Sequence, residues 1–196
     1  ELMTNFRQPY FAHSVTNFWA RWHISLSSWF RDYIYFPLGA GRKGPARKAL
    51  NVMIVYTISG LWHGAALKYV AWGMLNGALQ VVEGFLPQAR PKRFVKLHHV
   101  CSVLWTDLLI LITMLIFRAN SLSAALGMLL RIPTAWTEPT LTTGFSAMQS
   151  LCLGVCVAIL FAIELLHEKR RTLTELTDRL PVAARGTLYL LAILAI

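Results

Sequence analysis

From Leu50 to Leu86 the chain is apolar for 37 residues, interrupted by Lys68, and this stretch limits the possible folds more than any other. One membrane helix needs about 20 apolar residues, and irregular backbone exposed to lipid leaves polar groups unsatisfied. The run is therefore too long for a single span and predicts two short spans or a re-entrant pair, turning near Lys68. Gly60 and Gly64 are four apart, as are Gly73 and Gly77, so each arm carries the small-residue spacing that lets helix backbones approach closely. His63, inside Gly60-Leu61-Trp62-His63-Gly64, sits where those backbones converge. Two readings of it stay open at this level. It is either a structural histidine bonded across the helices, or a desolvated neutral ring able to accept a proton as a general base. Trp62 and the glycines would shape a narrow site around it. Lys68 is expected to snorkel to an interface, and Asn76 to bridge helices.

Composition agrees with a bilayer. With 56% hydrophobic residues, 14% charged residues and a mean hydropathy of +0.50, the balance excludes an ordinary soluble domain. The formal charge of +10 comes from basic clusters between apolar runs, the pattern of cytoplasmic membrane loops, so no nucleic-acid partner is expected. Cys101, Cys152 and Cys156 lie in or beside apolar segments and outline neither a disulfide framework nor a metal site. There is no phosphate-binding Gly-rich loop, metal-spaced cluster or Ser-His-Asp arrangement, which leaves histidine as the strong candidate for reactivity. The chain starts at Glu1 without an initiator and stops at Ile196 in an apolar run, so it is expected to be the carboxyl-side part of a longer multispanning protein.

Taken in order, Ser14 to Asn17 supplies N-cap residues for a helix read as continuous from Val15 to Tyr33. On a helical wheel Val15, Phe18, Trp19, Trp22, Leu26, Trp29, Phe30 and Tyr33 share one face, while Asn17, Arg21, Ser25, Ser28, Arg31 and Asp32 lie opposite. An aromatic-faced amphipathic helix suits a membrane interface, with His23 at the rim as an interfacial histidine and Arg31–Asp32 as a cap or surface pair. Pro37 and the glycines at 39, 41 and 44 then break the helix, and the basic residues from Arg42 to Lys48 mark a cytoplasmic loop. Glu83 ends the second arm, followed by a second basic loop that takes in His98 and His99. Val100 to Phe117 is the next span, with Asp107 facing protein, water or a partner. An external segment with an interfacial helix from Leu122 to Leu130 precedes Leu151 to Leu166, a charge-rich loop from His167 to Arg185, and a last span beginning at Thr187. The fold class expected is all-α and polytopic.

Several runs in fixed order carry a family resemblance: Asn5-Phe6-Arg7-Gln8-Pro9-Tyr10, Phe18-Trp19-Ala20-Arg21-Trp22-His23-Ile24-Ser25-Leu26, Phe30-Arg31-Asp32-Tyr33, Pro37-Leu38-Gly39, the Gly60 to Gly64 pentapeptide, and Phe117-Arg118-Ala119-Asn120-Ser121. Together they resemble the membrane-bound O-acyltransferase (MBOAT) family, most of all its bacterial branch serving alginate O-acetylation and D-alanyl transfer to teichoic acids. The resemblance implies an MBOAT-like helical bundle with re-entrant or short helices, of which residues 1–196 form the carboxyl-side part of one transmembrane domain. It makes His23 and His63 the two characteristic histidines, with His63 catalytic, and places them in a funnel or tunnel. Trp62, Trp22, Arg31, Asp32 and Asn76 are the expected substrate-binding residues. Asn76 stands where related sequences often carry histidine, and Ala20 where a basic residue is frequent. No metal and no tightly bound cofactor are implied. The cosubstrate would be an acyl thioester, acetyl-CoA or carrier-bound. Its acetyl group would be taken from the cytoplasmic side of the inner membrane, where the donor lies, and passed towards an exported, alginate-like polysaccharide through an extracytoplasmic acetyltransferase partner, with membrane lipids around the chain. The alternatives are a D-alanyl, lipid or protein O-acyltransferase of the same family, or a membrane transporter or scaffold. The paired WHIS and LWHG histidines without inverted repeats favour an enzyme over the latter.

Overall fold

Two antiparallel helices, α3 (Pro45–His63) and α4 (Leu67–Phe85), form the hairpin that the long apolar run predicts. They are seen in a computed structural model that describes residues 3–86, 94–134, 146–168, 181 and 185–186. Pro45 starts α3 at a position where its missing N–H is not needed, after Gly44 at φ 94°. The turn falls at residues 64–66, just before Lys68. Gly64 ends α3 at φ 154°, with the Tyr69 ring lying where any side chain would project.

The helices cross where Gly60 and Gly73 face each other. A Cβ on Gly60 would run into the Tyr69 carbonyl, and one on Gly73 into the Tyr56 carbonyl. Gly77 faces Met53 and Tyr56. Three of the four glycines picked out by spacing therefore bring the arms together, whereas Gly64 is a helix terminus.

The continuous helix expected from Val15 to Tyr33 is corrected to two helices, α1 (Val15–Arg21) and α2 (Ile24–Phe30), followed by a π-helical segment at Arg31–Tyr35. Neither glycine nor proline breaks it. The amino-terminal segment does: Arg7 N–H takes the Arg21 carbonyl at 2.9 Å, and Ile24 N–H donates to the Asn5 carbonyl at 3.0 Å. Asn5 Oδ1 then accepts from Ser25 N–H at 3.0 Å and Ser25 Oγ at 2.7 Å, capping α2 from outside the helix. The aromatic stripe divides accordingly. Val15, Phe18 and Phe30 are buried, while Trp29 and Tyr33 are exposed.

Ser14 Oγ caps α1 by accepting from Asn17 N–H at 3.0 Å, as its position suggests. A second cap comes from α4. Glu83 accepts from Val15 N–H at 2.6 Å, Thr16 N–H at 2.9 Å and Thr16 Oγ1 at 2.7 Å, setting a carboxylate at the positive end of the helix. Glu83→Ala is expected to cost about 1.5 kcal/mol, the lower end for charged hydrogen bonds because Thr16 is exposed. Thermal unfolding of the detergent-solubilised protein checks this.

Helix α5 (Val95–Arg118) packs on α4 and α1, and α6 (Leu122–Arg131) on α4 and α5. The core joins Ala12, Val15, Phe18 and Ile110 to Trp72, Ile116, Ala119 and Ala125, with Trp19 and Met114 touching both groups. Lys68 does not reach outward as expected. Its Nζ donates to the Ala119 carbonyl at 2.6 Å and lies 4.7 Å from the Tyr69 ring centroid, tying the hairpin to the α5–α6 junction. His98 and His99, expected in a loop, belong to the start of α5 because the helix begins at Val95. Asp107 on α5 is partly buried, and its Oδ1 has no hydrogen-bond partner among the described residues.

Residues Glu1–Pro139 form one compact unit and Thr140–Ile196 another. In the second, α7 (Ala147–Glu168) carries Cys152 and Cys156 one turn apart. Helices α5 and α7 are long and apolar enough to cross a membrane. All described regular structure is helical. The last span expected from Thr187, and Arg90, Lys92 and Arg93 of the second basic loop, lie outside the described residues.

Candidate active site

The interruption between α1 and α2 places a histidine. His23 takes the left-handed conformation, φ 48° and ψ 51°, which a non-glycine residue adopts only when its surroundings dictate it. Here they are the Asn5 and Arg7 backbone bonds on either side, with Trp22 packed against Phe6 at 4.9 Å and stacked on Phe18 at 5.6 Å. The turn carries the His23 ring inward instead of along an interfacial rim. Its Nδ1 is buried and lacks a hydrogen-bond partner among the described residues.

His63 reaches the same place from the last turn of α3. Its ring is surrounded edge-on by three aromatics: Trp62 at 4.8 Å, Trp72 at 5.2 Å and Phe117 at 5.1 Å between centroids, with interplanar angles of 78°, 87° and 90°. Such perpendicular contacts hold an imidazole in one orientation without using its nitrogens. His23 and His63 both border one cavity of about 270 Å³. Trp19, Trp22, Tyr56 and Phe117 supply much of its remaining wall, which is mostly apolar.

Of the residues singled out in the sequence, His23, His63 and Trp22 line this cavity. Trp62 stands beside it, 58% exposed as a residue yet with its ring in contact with both imidazoles, His23 at 6.2 Å and His63 at 4.8 Å. Asn76 is fully buried and outside the lining. It holds the wall, its Oδ1 accepting from Trp19 Nε1 at 3.2 Å, and so bridges α1 and α4. Arg31 and Asp32 are also outside the cavity, as a surface ion pair at 2.8 Å. The hydrogen bond from Arg31 holds the Asp32 carboxyl below its ordinary range. Whatever the exposed pair contributes is present above the ordinary aspartate range and is lost as pH falls through the lowered folded value. Among the described residues, no three His, Cys, Asp or Glu side chains converge as metal ligands.

Sequence reasoning missed Tyr56, Ser59, Trp72 and Phe117 as lining residues. A signal for two of them was present, since Tyr56 and Ser59 precede His63 by seven and four residues and so share its helical face. Phe117 depends on tertiary structure, because Lys68 fastens the Ala119 carbonyl beside it.

Asn5 is the residue through which the break acts. Asn5→Ala, which removes the two Ser25 bonds and keeps the backbone bond from Ile24, is expected to cost about 1 kcal/mol, the usual value of a lost cap, and to slow the reaction at this site by loosening the start of α2 beside His23. Asn5→Asp keeps the acceptor and should recover part of the rate. Steady-state kinetics and thermal unfolding of both variants in the full-length protein test this.

Residues 3–125 match the model of MBOAT, the membrane-bound O-acyltransferase family. The chain is similar to the "Probable alginate O-acetylase AlgI" of Pseudomonas putida, 42% identical over 127 residues, which cover 64% of this chain and 25% of that protein. Similarity extends to the peptidoglycan O-acetyltransferase of Helicobacter pylori, 35% identical over 129 residues, covering 66% of this chain and 24% of that protein. With the teichoic acid D-alanyltransferase of Bacillus subtilis identity is 30% over 95 residues, covering 45% and 24% of the two chains. The chain thus spans about a quarter of the length of the curated relatives it matches.

Proposed function

Because this chain belongs to the membrane-bound O-acyltransferase family, we propose that it is the part of a multi-pass inner-membrane O-acyltransferase that contributes the catalytic histidine. The observation that carries this reading is the convergence of His23 and His63, forty residues apart, on one apolar cavity. His63 accepts the proton of an acceptor hydroxyl as its oxygen attacks the carbonyl carbon of an acyl thioester. The carbon–sulfur bond then breaks, and the leaving thiolate takes the proton back from the imidazolium. An apolar wall excludes water, which would otherwise hydrolyse the thioester. His23 orients donor or acceptor from its turn.

The acyl group is acetyl, taken from acetyl-CoA or a carrier-bound thioester and passed towards an exported, alginate-like polysaccharide. This follows the similarity to the alginate and peptidoglycan proteins. An extracytoplasmic acetyltransferase partner completes the transfer, and exposed Arg42, Lys43 and Lys48 contact anionic lipid headgroups. The test is incubation of the full-length protein, in vesicles, with isotopically labelled acetyl donor and polysaccharide, with and without the partner. Labelled ester in the product is expected. Product without label, together with passage of unreacted acceptor across the vesicle, would favour a transporter.

A further inference from the structure

A second cavity of about 560 Å³ adjoins the first, bordered by Ser14, Thr16, Lys48, Val52, Gln80 and Glu83 among others. On α1, Thr16 borders the second cavity and Trp19 the first. On α3 the same holds for Val52 and Tyr56. On α1 the two linings interleave, since Asn17 and Ala20 also border the second cavity, whereas on α3 Val52 and Tyr56 are about one turn, roughly 5 Å, apart.

What stands between them is a small number of side chains fixed in place. Tyr56 borders the histidine cavity, while its hydroxyl accepts a hydrogen bond from Gln80 Nε2, part of the second cavity's wall. The Tyr56 ring lies edge-on to Trp19 at 5.9 Å. Trp19 is held in turn by Asn76 Oδ1, four residues before Gln80 on α4. Three helices therefore build one partition, centred on a phenol ring. On α3 the histidine cavity, about 270 Å³, is bordered from His63 back to Val55 and Tyr56, so the phenol ring lies at its far end.

We propose that Tyr56 is a specificity-determining residue: its ring, anchored by Gln80 and Trp19, limits the acyl chain to a short one, and removing it joins the two cavities and admits longer chains. This rests on the acyl-transfer reading of the histidine site. The second cavity has mixed walls. The chain enters it past Val52, away from Lys48 and Glu83.

The test measures transfer from acetyl-, butyryl- and octanoyl-coenzyme A by the full-length protein and compares donors within each variant. Tyr56→Ala and the milder Tyr56→Leu are expected to raise the octanoyl-to-acetyl ratio by about tenfold or more, since one methylene in an apolar pocket is worth about 10–200-fold in discrimination. Tyr56→Phe keeps the ring but loses the hydrogen bond from Gln80, and should shift the ratio only part of the way. Gln80→Ala, which frees the ring from outside the histidine cavity, should shift it part of the way. An unchanged ratio in Tyr56→Leu and Gln80→Ala, with acetyl transfer still measurable, overturns the partition alone. A wild-type protein that transfers no acyl group from any donor overturns the acyl-transfer reading and the partition with it.

Discussion

Replacing His63 with alanine in the full-length protein is expected to lower acyl transfer by about 10²–10⁴-fold, the range lost when a general base is removed. The His63 ring is held by perpendicular contacts with Trp62, Trp72 and Phe117, and the methyl group of alanine leaves those aromatics where the backbone places them. The loss should therefore appear in the rate, with thermal unfolding close to wild type. His63→Gln, which fills more of the volume but accepts no proton at neutral pH, should be as slow as alanine. Unchanged polymer acylation by either variant would sink the assignment of His63 as base. A matching loss of folded protein would instead make its role structural.

Gly73→Ala is expected to be among the most destabilising single-methyl changes in the chain, at about 3 kcal/mol, the upper end for overpacking. The added Cβ meets backbone, the Tyr56 carbonyl, with the Gly60 Cα at 3.2 Å, so no flexible side chain can move aside and α3 must separate from α4. That separation would also displace His63 and Tyr56 from the wall they share. Gly84 is the internal comparison. It lies on the same helix, and a methyl group added there would meet nothing within 4 Å. Gly84→Ala should therefore stabilise by up to about 0.5 kcal/mol through helix propensity alone, the lower end because Gly84 lies in the last turn of α4. Parallel thermal melts in detergent decide the matter, and similar shifts for the two substitutions would refute the close crossing.

Much of the fold follows from local pattern. The hairpin was legible because 37 apolar residues exceed one span, and its crossing because small residues recur every four. Helix α6 was legible in the same way, expected from Leu122 to Leu130 and found from Leu122 to Arg131. The break at Trp22–His23 was not. Its cause is a set of hydrogen bonds from Asn5 and Arg7, fourteen or more positions away, and helical periodicity contains no information about them. Lys68 departs from expectation for a related reason, since its acceptor, the Ala119 carbonyl, belongs to a junction 51 residues further on.

The resemblance of its motifs to a known family singled out the two histidines; by itself, the sequence determined that this chain is helical and membrane-suited and that its arms meet at glycines. Those properties depend on composition, spacing and the volume of single side chains. Only the tertiary structure decided that His23 turns inward to share a cavity with His63. It also made Asn76 a support for Trp19 while leaving Arg31 and Asp32 at the surface. Each of these outcomes depends on hydrogen bonds or ring contacts between segments distant in the chain, and such contacts exist only once the helices have packed.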